Sequence, residues 1–205
     1  WQPWNLWTSP LGPDMLTHPS NMVRKYGGGI LVCGGSHILD LIHWFTGRPS
    51  AVMGHLHFRE GMDIDIRANA MIWPENGGIV SFEACWHPLK YGGYERNGWD
   101  ERFEINTTKG RLDLYTVTWN FPERNAPLLI HQDAETGKTT EYRFPIVNAF
   151  HAEMAEALRR YQADEKGFPP AWDGYVVDET IANITESSRQ QAKRTITWAD
   201  RATKA

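Results

Sequence analysis

The sequence predicts an α+β fold in which an open, largely antiparallel sheet carries helices packed on one face. A short apolar segment with the helical period of about 3.6 residues begins after a glycine-rich stretch at residues 27–35. A long middle region then alternates apolar and polar residues with the strand period of two. Two longer helical segments follow near the C-terminus. Because the strands are grouped together and separated by short turns, antiparallel pairing is favoured over repeated βαβ units.

The composition is that of a globular protein large enough for one well-buried domain. The chain has 205 residues, of which 41% are hydrophobic and 22% are charged. Its formal net charge of −4 and the lack of a basic cluster argue against nucleic-acid and membrane-surface partners. No apolar run approaches the roughly 20 residues of a membrane-spanning helix. The two cysteines, Cys33 and Cys85, are too few for a disulfide scaffold, so we expect a cytoplasmic protein unless upstream residues carry a signal.

Residues 1–26 are expected to form an aromatic-rich connecting segment, and residues 27–205 an α+β domain. Four prolines at positions 3, 10, 13 and 19 interrupt any helical period in the first segment. The chain opens "WQPWNLW", without an initiator methionine or the charged and apolar regions of a signal peptide. We therefore expect the sequence to be a fragment of a longer protein.

The first helix is predicted over the stretch "HILDLIHWF". Ser36 is a suitable N-cap, and Gly47 with Pro49 marks the end of the helix. The apolar residues expected to form one face follow the spacing i, i+3, i+4 and i+7: Ile38, Leu41, Ile42 and Phe45.

The strands that follow are predicted from alternation. In "AVMGHLHF", Val52 and Leu56 lie on one face, with His55 and His57 on the other. In "DIDIRANAMIW", the apolar face consists of Ile64, Ile66, Ala68, Ala70 and Ile72. The turn "PENGG" leads into the strand "IVSFEACW". Further strands are expected in "RFEINTT", "GRLDLYTVTW", "PLLIHQ", "TTEYRF" and, as an edge strand, "TITW".

Two C-terminal helices are expected to cover the sheet. Asn148 caps the first, and Asp173 opens the second. The residues expected to face the core are Phe150, Met154, Ala157, Leu158 and Tyr161 in the first helix, and Val177, Ile181 and Ile184 in the second.

Phosphate and metal sites find little support in the sequence. The glycines of "GGGILVCGG" lack the spacing of a dinucleotide-binding G-x-G-x-x-G turn and are followed by an apolar run. His55 and His57 share a strand face, but no third ligand lies nearby, and His37 and His43 lie on different faces of a helix. Asp63 and Asp65 share a strand face as a glycosidase pair would, although polar residues at the edge of a strand explain them better.

His37 is the strongest catalytic candidate from the local pattern. It lies in the first turn of the predicted helix, where the helix dipole disfavours an imidazolium and a neutral ring can exchange a proton. A histidine bonded only to a nearby backbone group fits the same pattern. Cys33 precedes this helix and is either a reactive thiol or, as the pattern favours, a small buried residue.

Four blocks in order resemble the C-terminal domain of the glucose-fructose oxidoreductase / inositol dehydrogenase / MocA family. They are "GGGILVCGGSHILDLIHWFTGRP", "DIDIRANAMIWPENGGIVSFEACW", "ERFEINTTKGRLDL", and "FHAEMAEALRRYQ" with "DGYVVDETIANITESS". The likeness runs from about Tyr26 to Trp198. It implies a substrate-binding and oligomerisation domain over residues 27–205, with an open sheet as the interface. It also implies an N-terminal Rossmann domain, absent from this chain, that binds NAD or NADP and supplies a lysine.

The resemblance implies roles for three residues. His37 matches the histidine of the family motif Asp-x-Gly-x-His, which takes the proton of a sugar or cyclitol hydroxyl as hydride leaves for nicotinamide. Cys33 occupies the place of the motif's aspartate, so substrate or mechanism is expected to differ. Asp40 follows His37 by one turn and either orients its ring or is only a polar residue at the surface. Trp4, Trp7, Trp86 and His87 are further substrate-binding candidates, because aromatic rings stack on sugar faces.

Three explanations for a chain without a nucleotide-binding half follow. We favour a piece of a two-domain NAD(P)-dependent enzyme, with no cofactor-binding or metal residues of its own. A natural subunit that pairs with a separate nucleotide-binding chain is the second. The third is a non-catalytic binding or dimerisation domain that keeps the fold. In each case a homo-oligomer through the open sheet face is expected.

Overall fold

The computed structural model describes residues 28–58, 64–85, 101–116, 126–166 and 169–199. The elements in chain order are α1 (Ile30–Cys33), α2 (Gly35–Thr46), β1 (Pro49–Phe58), β2 (Asp65–Pro74), β3 (Val80–Cys85), β4 (Arg102–Thr107), β5 (Gly110–Tyr115), β6 (Leu128–Asp133), β7 (Thr139–Arg143), α3 (Ala149–Gln162), α4 (Ala171–Gln190) and β8 (Arg194–Thr195). The chain divides into two compact units. Unit 1 takes residues 1–88 and 169–205, and unit 2 takes residues 89–168.

The predicted α+β class with antiparallel strands is confirmed. The strands are divided between two four-stranded sheets, with the order β3-β2-β1-β8 in unit 1 and β4-β5-β6-β7 in unit 2. Every strand pair is antiparallel. Alternation predicts that a segment is a strand, but it does not say which sheet a strand joins.

The core of unit 1 lies between its sheet and the helices α1, α2 and α4. β1 and β2 bury the faces that alternation predicts, since Val52, Leu56, Ala68, Ala70 and Ile72 are all buried. The opposite face of β1 carries His55 and His57, which are exposed. The helices contribute Leu31, Leu39, Ile42, Val177 and Ile184 to the same core.

α4 packs closely on β1 because β1 has a glycine at the crossing. A Cβ at Gly54 would lie 2.7 Å from both the Cγ2 and the carbonyl oxygen of Ile184. β8 pairs only with Ala51 and Val52, so the remaining edge of β1 needs other partners. The Gly54 amide donates to the hydroxyl of Ser187 at 2.9 Å, and the Leu56 amide donates to that of Ser188 at 2.8 Å. The polar residues of α4 thus complete the edge of the sheet.

The apolar face of α2 differs from the predicted one. The buried residues are Gly35, Leu39 and Ile42, whereas Phe45 is 46% exposed and Trp44 is 73% exposed. This helix is apolar on almost every side, so its periodicity does not select the face that packs. The selection comes from Gly35, where a Cβ would lie only 3.0 Å from the ring of Phe82 on β3.

Unit 2 consists of a four-stranded antiparallel meander and α3. Phe103 and Leu128 are its buried apolar residues among those described. Arg111 donates two hydrogen bonds to the carboxylate of Asp113, at 2.9 and 2.7 Å. Asn148 caps α3 as predicted, since its side chain accepts from the amide of His151 at 3.2 Å.

The predicted core face of α3 is wrong for this structure. Phe150, Met154, Leu158 and Tyr161 are 57%, 61%, 54% and 84% exposed, and α3 has no buried residue. Periodicity identifies an apolar face but does not show what covers it. In α4, Val177 and Ile184 are buried as predicted, and the helix begins at Ala171 with Asp173 in its first turn. None of the described helices is long and apolar enough to cross a membrane.

Candidate functional site

The glycine-rich stretch folds into a single helical turn followed directly by α2. α1 is closed by hydrogen bonds from the Cys33 amide to the Gly29 carbonyl at 2.9 Å and from the Gly34 amide to the Ile30 carbonyl at 3.0 Å. Gly34 ends α1 and precedes α2, with helical backbone angles of φ −102° and ψ −39°. Cys33 and His37 are therefore carried on two consecutive helical segments joined by one residue.

Asp65, the first residue of β2, binds the start of α1 through its side chain. Its carboxylate accepts a hydrogen bond from the Leu31 amide at 2.8 Å, and its side chain is buried, with 6% exposure. Burial raises the pKa of Asp65, and hydrogen bonds from surrounding backbone amides, including those of Gly29 and Ile30, act in the opposite direction. The interpretation of Asp65 as only a polar residue at the edge of a strand is therefore wrong. The residue supplies an acceptor to amides that a helix start leaves without partners.

The same contact explains why the glycine turn does not suit a dinucleotide phosphate. The amides at a helix start bind phosphate when they are free. Here the amide of Leu31 bonds to a carboxylate of the protein, which lies beside Gly29 and Ile30. A phosphate would have to displace Asp65 and would be repelled by its charge. The geometry of these residues does not fit the group.

Cys33 is a neutral, partly buried thiol. Burial raises its pKa, and the charge of Asp65 raises it further. Its Sγ lies 3.7 Å from the carbonyl oxygen of Gly28 and donates to it. A thiol in this environment is not activated as a nucleophile. The structure therefore favours the interpretation of Cys33 as a small packed residue over that of a reactive thiol.

His37 is the third residue of α2 and is exposed. The N-cap of this helix is Gly34, without a side-chain hydrogen bond, so the prediction that Ser36 caps it is wrong. The reason is that the helix begins one residue before Ser36, at Gly35. The prediction that His37 lies in the first turn still holds, and its imidazole is accessible from solvent.

Asp40 lies one turn after His37 and is partly buried. Burial raises the pKa of Asp40, the charge of Asp173 in the first turn of α4 raises it further, and His37 lowers it. The site thus combines an exposed imidazole with a carboxyl group whose charged form is disfavoured by its surroundings. Such a carboxyl can exchange protons at a higher pH than an ordinary aspartate.

His43 is a second histidine of α2 with a different environment. It lies between α2 and α4, where its Nε2 is 3.1 Å from the hydroxyl oxygen of Thr180. Its Nδ1 is buried and has no hydrogen-bond partner among the described residues. Burial lowers the pKa of His43 to about 4. The ring is neutral and belongs to the packing of unit 1.

The structure brings together three of the residues singled out from the sequence. Cys33, His37 and Asp40 lie on the α1–α2 segment, whereas Trp4, Trp7, Trp86 and His87 lie outside the described residues. Sequence reasoning missed the role of Asp65. Alternation gives no signal for this role, because it places Asp65 on the polar face of the strand. Within the described ranges, no group of three histidine, cysteine or acidic side chains could hold a metal ion.

Comparisons with known proteins agree with this fold. The family model described as the GFO/IDH/MocA C-terminal domain matches residues 6–113. A search of curated proteins found no match. Among solved structures, an oxidoreductase domain protein from Kribbella flavida is 21% identical, with a TM-score of 0.64, and the match covers 86% of this chain and 53% of that one.

Two further structures have bound small molecules. Levoglucosan dehydrogenase in complex with NADH and levoglucosan is 20% identical, with a TM-score of 0.64 and coverage of 84% of this chain and 52% of that one. The aldose-aldose oxidoreductase from Caulobacter crescentus, complexed with glycerol, is 15% identical, with a TM-score of 0.67 and coverage of 83% and 48%. These similarities show a shared fold. The chain spans about half the length of each of these structures.

Proposed function

We propose that this chain, which belongs to the GFO/IDH/MocA C-terminal domain family, forms the substrate-binding half of an NAD- or NADP-dependent oxidoreductase. Its substrate would be a hydroxyl or carbonyl group of a sugar, a sugar derivative or a cyclitol. The observation that carries the proposal is His37, an exposed imidazole in the first turn of α2 with Asp40 one turn later. It stands where the resemblance expects the family's proton-transferring histidine.

His37 would act as the general base of the oxidation. An imidazole can accept the proton of a hydroxyl as its carbon is oxidised, and can return it in the reverse direction. Asp40 lies close enough that the charge of His37 affects its ionisation. A carboxyl group beside an imidazole can fix the orientation of the ring. We therefore assign proton transfer to His37 and its orientation to Asp40.

Cys33 would shape the substrate specificity of this site. The family motif has a carboxylate at this place, which accepts hydrogen bonds from substrate hydroxyls. A neutral thiol that donates to the Gly28 carbonyl accepts hydrogen bonds only weakly. We expect a substrate with fewer hydroxyl contacts on the side facing Cys33.

The remaining substrate contacts are proposed for aromatic residues outside the described ranges. Trp4, Trp7, Trp86 and His87 have rings that can stack on the C–H faces of a sugar. Levoglucosan, L-sorbose and glycerol are the small polyols bound in structures of similar fold. They support polyhydroxylated compounds as the first ligands to screen.

The nicotinamide cofactor is proposed to be held by a separate nucleotide-binding domain. NADH is bound in two levoglucosan dehydrogenase structures of similar fold, and each of these chains is about twice as long as the part matched here. The Leu31 amide in the first turn of α1 is bonded to the Asp65 carboxylate, so this turn does not fit a phosphate. We therefore assign no part of cofactor binding to the described residues.

A second copy of the chain is proposed as a partner through the open face of the unit 1 sheet. This face carries Met53 and Met71, which are directly opposite on β1 and β2 and are 47% and 37% exposed. His55 and His57 continue the same face and are exposed. A mixed apolar and polar sheet face is typical of the interfaces of homo-oligomers.

The test uses the longest natural chain that contains these 205 residues. It would be assayed for reduction of NAD and of NADP with a panel of sugars and cyclitols. His37→Ala is expected to lower kcat by about 10²–10⁴ while the protein stays folded. His151→Ala is the matched control, because His151 is also the exposed third residue of a helix but lies in unit 2.

Two outcomes would contradict the proposal. Near-normal turnover of the His37→Ala variant would remove this residue from the chemistry. Absence of any nicotinamide-dependent turnover, with binding of sugars retained, would favour a non-catalytic binding or dimerisation domain. The thiol of Cys33 at the motif's carboxylate position is the observation that favours this second candidate.

A further inference from the structure

We infer that Asp65 is a positioning residue of the candidate site, because its buried carboxylate fastens the backbone that carries Cys33 and His37. The claim that Asp65 affects catalysis rests on the proposed function. The claim that it binds the turn rests only on contacts within unit 1.

The first step is the hydrogen bond between the Leu31 amide and the Asp65 carboxylate. Asp65 is the first residue of β2, and its carboxylate bonds to the amide of Leu31, 34 positions earlier in the chain. The Leu31 side chain is 1% exposed, so this hydrogen bond is shielded from water. A buried carboxylate at the start of a helical turn satisfies amides that would otherwise lack acceptors. The sheet and the turn are therefore joined by a polar contact within an apolar core.

The second step is that the turn lies directly against the backbone of Asp65, with no room for a side chain between them. A Cβ at Gly29 would lie 2.0 Å from the backbone oxygen of Asp65 and 2.4 Å from its Oδ1. Only glycine allows such a close approach of the two chains. Gly35 makes a similar approach to Phe82 of β3, at 3.0 Å. The turn is thus packed against the sheet at both of its ends, and the hydrogen bond from Leu31 to Asp65 joins it to the sheet at the first.

The third step connects the hydrogen bond between Asp65 and Leu31 to the Cys33 thiol and the His37 imidazole. Cys33 lies two residues after Leu31, and the charge of Asp65 already acts on its thiol. His37 lies six residues after Leu31, which is about 9 Å along a continuous helical path. Gly34 provides that continuity because its backbone angles are helical. A shift of the turn would therefore displace the imidazole, and small displacements of a catalytic group are costly to turnover.

The experiment measures the reactivity of Cys33 in the 205-residue chain, in which Cys85→Ser leaves a single thiol. Asp65→Asn removes the carboxylate charge and places an amide group against the backbone amides. We expect the rate at which iodoacetamide alkylates Cys33 near pH 8 to rise at least about tenfold, because the charge that raises the pKa of the thiol is removed and the turn that packs the thiol is loosened. Circular dichroism would check that the fold is kept.

The matched control is Asp113→Asn, which alters another strand aspartate of low exposure, 9%, whose partner is Arg111 in unit 2. We expect this control to leave the Cys33 rate unchanged. If Asp65→Asn does not fold, Asp65→Glu is measured instead, and a rise of at least threefold is expected because the longer side chain displaces the turn while keeping its charge. An unchanged rate in whichever variant is folded would overturn the inference.

A second readout separates this inference from the proposed function. In the full-length enzyme, Asp65→Asn should lower kcat about 10²-fold with little change in the KM for the nucleotide, and Asp65→Glu should restore part of it. If the wild-type enzyme turns over no sugar or cyclitol, the proposed function fails, and the alkylation rates still decide the role of Asp65. If turnover is present but Asp65→Asn leaves kcat unchanged, the catalytic part of the inference fails.

Discussion

The Nε2 of His43 lies 3.1 Å from the hydroxyl oxygen of Thr180, and that hydroxyl donates its own proton to the Val176 carbonyl at 2.7 Å. Because the hydroxyl proton is already used, the ring must donate from Nε2 to the Thr180 oxygen. The Nδ1 is then an unprotonated acceptor, buried with no hydrogen-bond partner in the part of the chain that the structure describes. Protonation of His43 would place a second N–H and a positive charge in this buried position.

The stability of unit 1 should therefore fall in mild acid. The pKa of His43 is lowered to about 4 in the folded chain, from 6.5 in the unfolded one. Between these values the unfolded chain binds the proton and the folded chain does not, so the free energy of unfolding decreases as the pH falls from about 6.5 to about 4. The loss is at most about 3 kcal/mol. Urea unfolding measured across this pH range would show it.

His43→Leu tests the origin of this pH dependence. The leucine side chain cannot be protonated, so the difference in unfolding free energy between wild type and variant should change by the same amount over the same pH range. Thr180→Val is the contrasting variant. It removes the acceptor of Nε2–H and should lower stability by about 1–3 kcal/mol near pH 7 while keeping the titrating ring. A His43→Leu variant that loses stability in acid as steeply as wild type would contradict the assignment.

Gly54 is predicted to be intolerant of a side chain. Gly54→Ala would push a methyl group against the backbone and Cγ2 of Ile184, and overpacking of this kind costs about 1–3 kcal/mol. Gly174→Ala is the matched control, because among the described residues no atom outside the adjoining backbone of α4 lies within 4 Å of its would-be Cβ. This control should raise stability by about 0.5–1 kcal/mol. Thermal unfolding would measure both, and equal effects of the two variants would contradict the close packing of α4 on β1.

The sheets of this protein could largely be predicted from local patterns. β1 and β2 alternate because each has one face in the core, so Val52 and Ile72 are recognised without knowing what covers them. Asn148 was also predictable as a cap, because its side chain bonds to an amide only three residues away. These features depend on neighbours in the sequence.

The packing of α2 and the role of Asp65 could not be predicted in the same way. In "ILDLIHWF" the apolar residues cover more than half of the helix circumference, so periodicity does not decide between the burial of Leu39 and that of Phe45. Leu39 is buried on the side where Gly35 meets the ring of Phe82. Asp65 bonds to a residue 34 positions away, and alternation alone assigned it to a polar face. Long-range contacts of this kind have no local signature, and they are what positions the candidate site.

The open face of the unit 1 sheet is predicted to mediate self-association. Replacing Met53 and Met71 together by lysine would place two like charges directly opposite each other on β1 and β2. We expect the wild-type chain to elute as a dimer in size-exclusion chromatography with light scattering, and the double variant as a monomer. Met154→Lys is the control, since Met154 is also exposed but lies on α3 of unit 2. A monomeric wild-type chain, or dissociation by the control alone, would contradict the proposed interface.

Restoring the family's carboxylate at position 33 is predicted to destabilise this chain. Cys33→Asp would place a second acidic group in a partly buried position where Asp65 already raises the pKa of the thiol. The same two causes, burial and the neighbouring charge, would raise the pKa of the new carboxyl group above its unfolded value. Near pH 7 the variant should be less stable than Cys33→Ser by about 1–3 kcal/mol.

The pH dependence distinguishes this effect from simple loss of packing. A carboxyl group with a raised pKa in the folded state binds its proton more tightly there, so its cost is absent below about pH 4 and grows as the pH rises through the folded pKa. The gap in unfolding free energy between Cys33→Asp and Cys33→Ser should therefore close on acidification. A gap that is constant with pH would point to a steric cause, and no gap at all would show that Asp65 leaves room for a second carboxylate beside it.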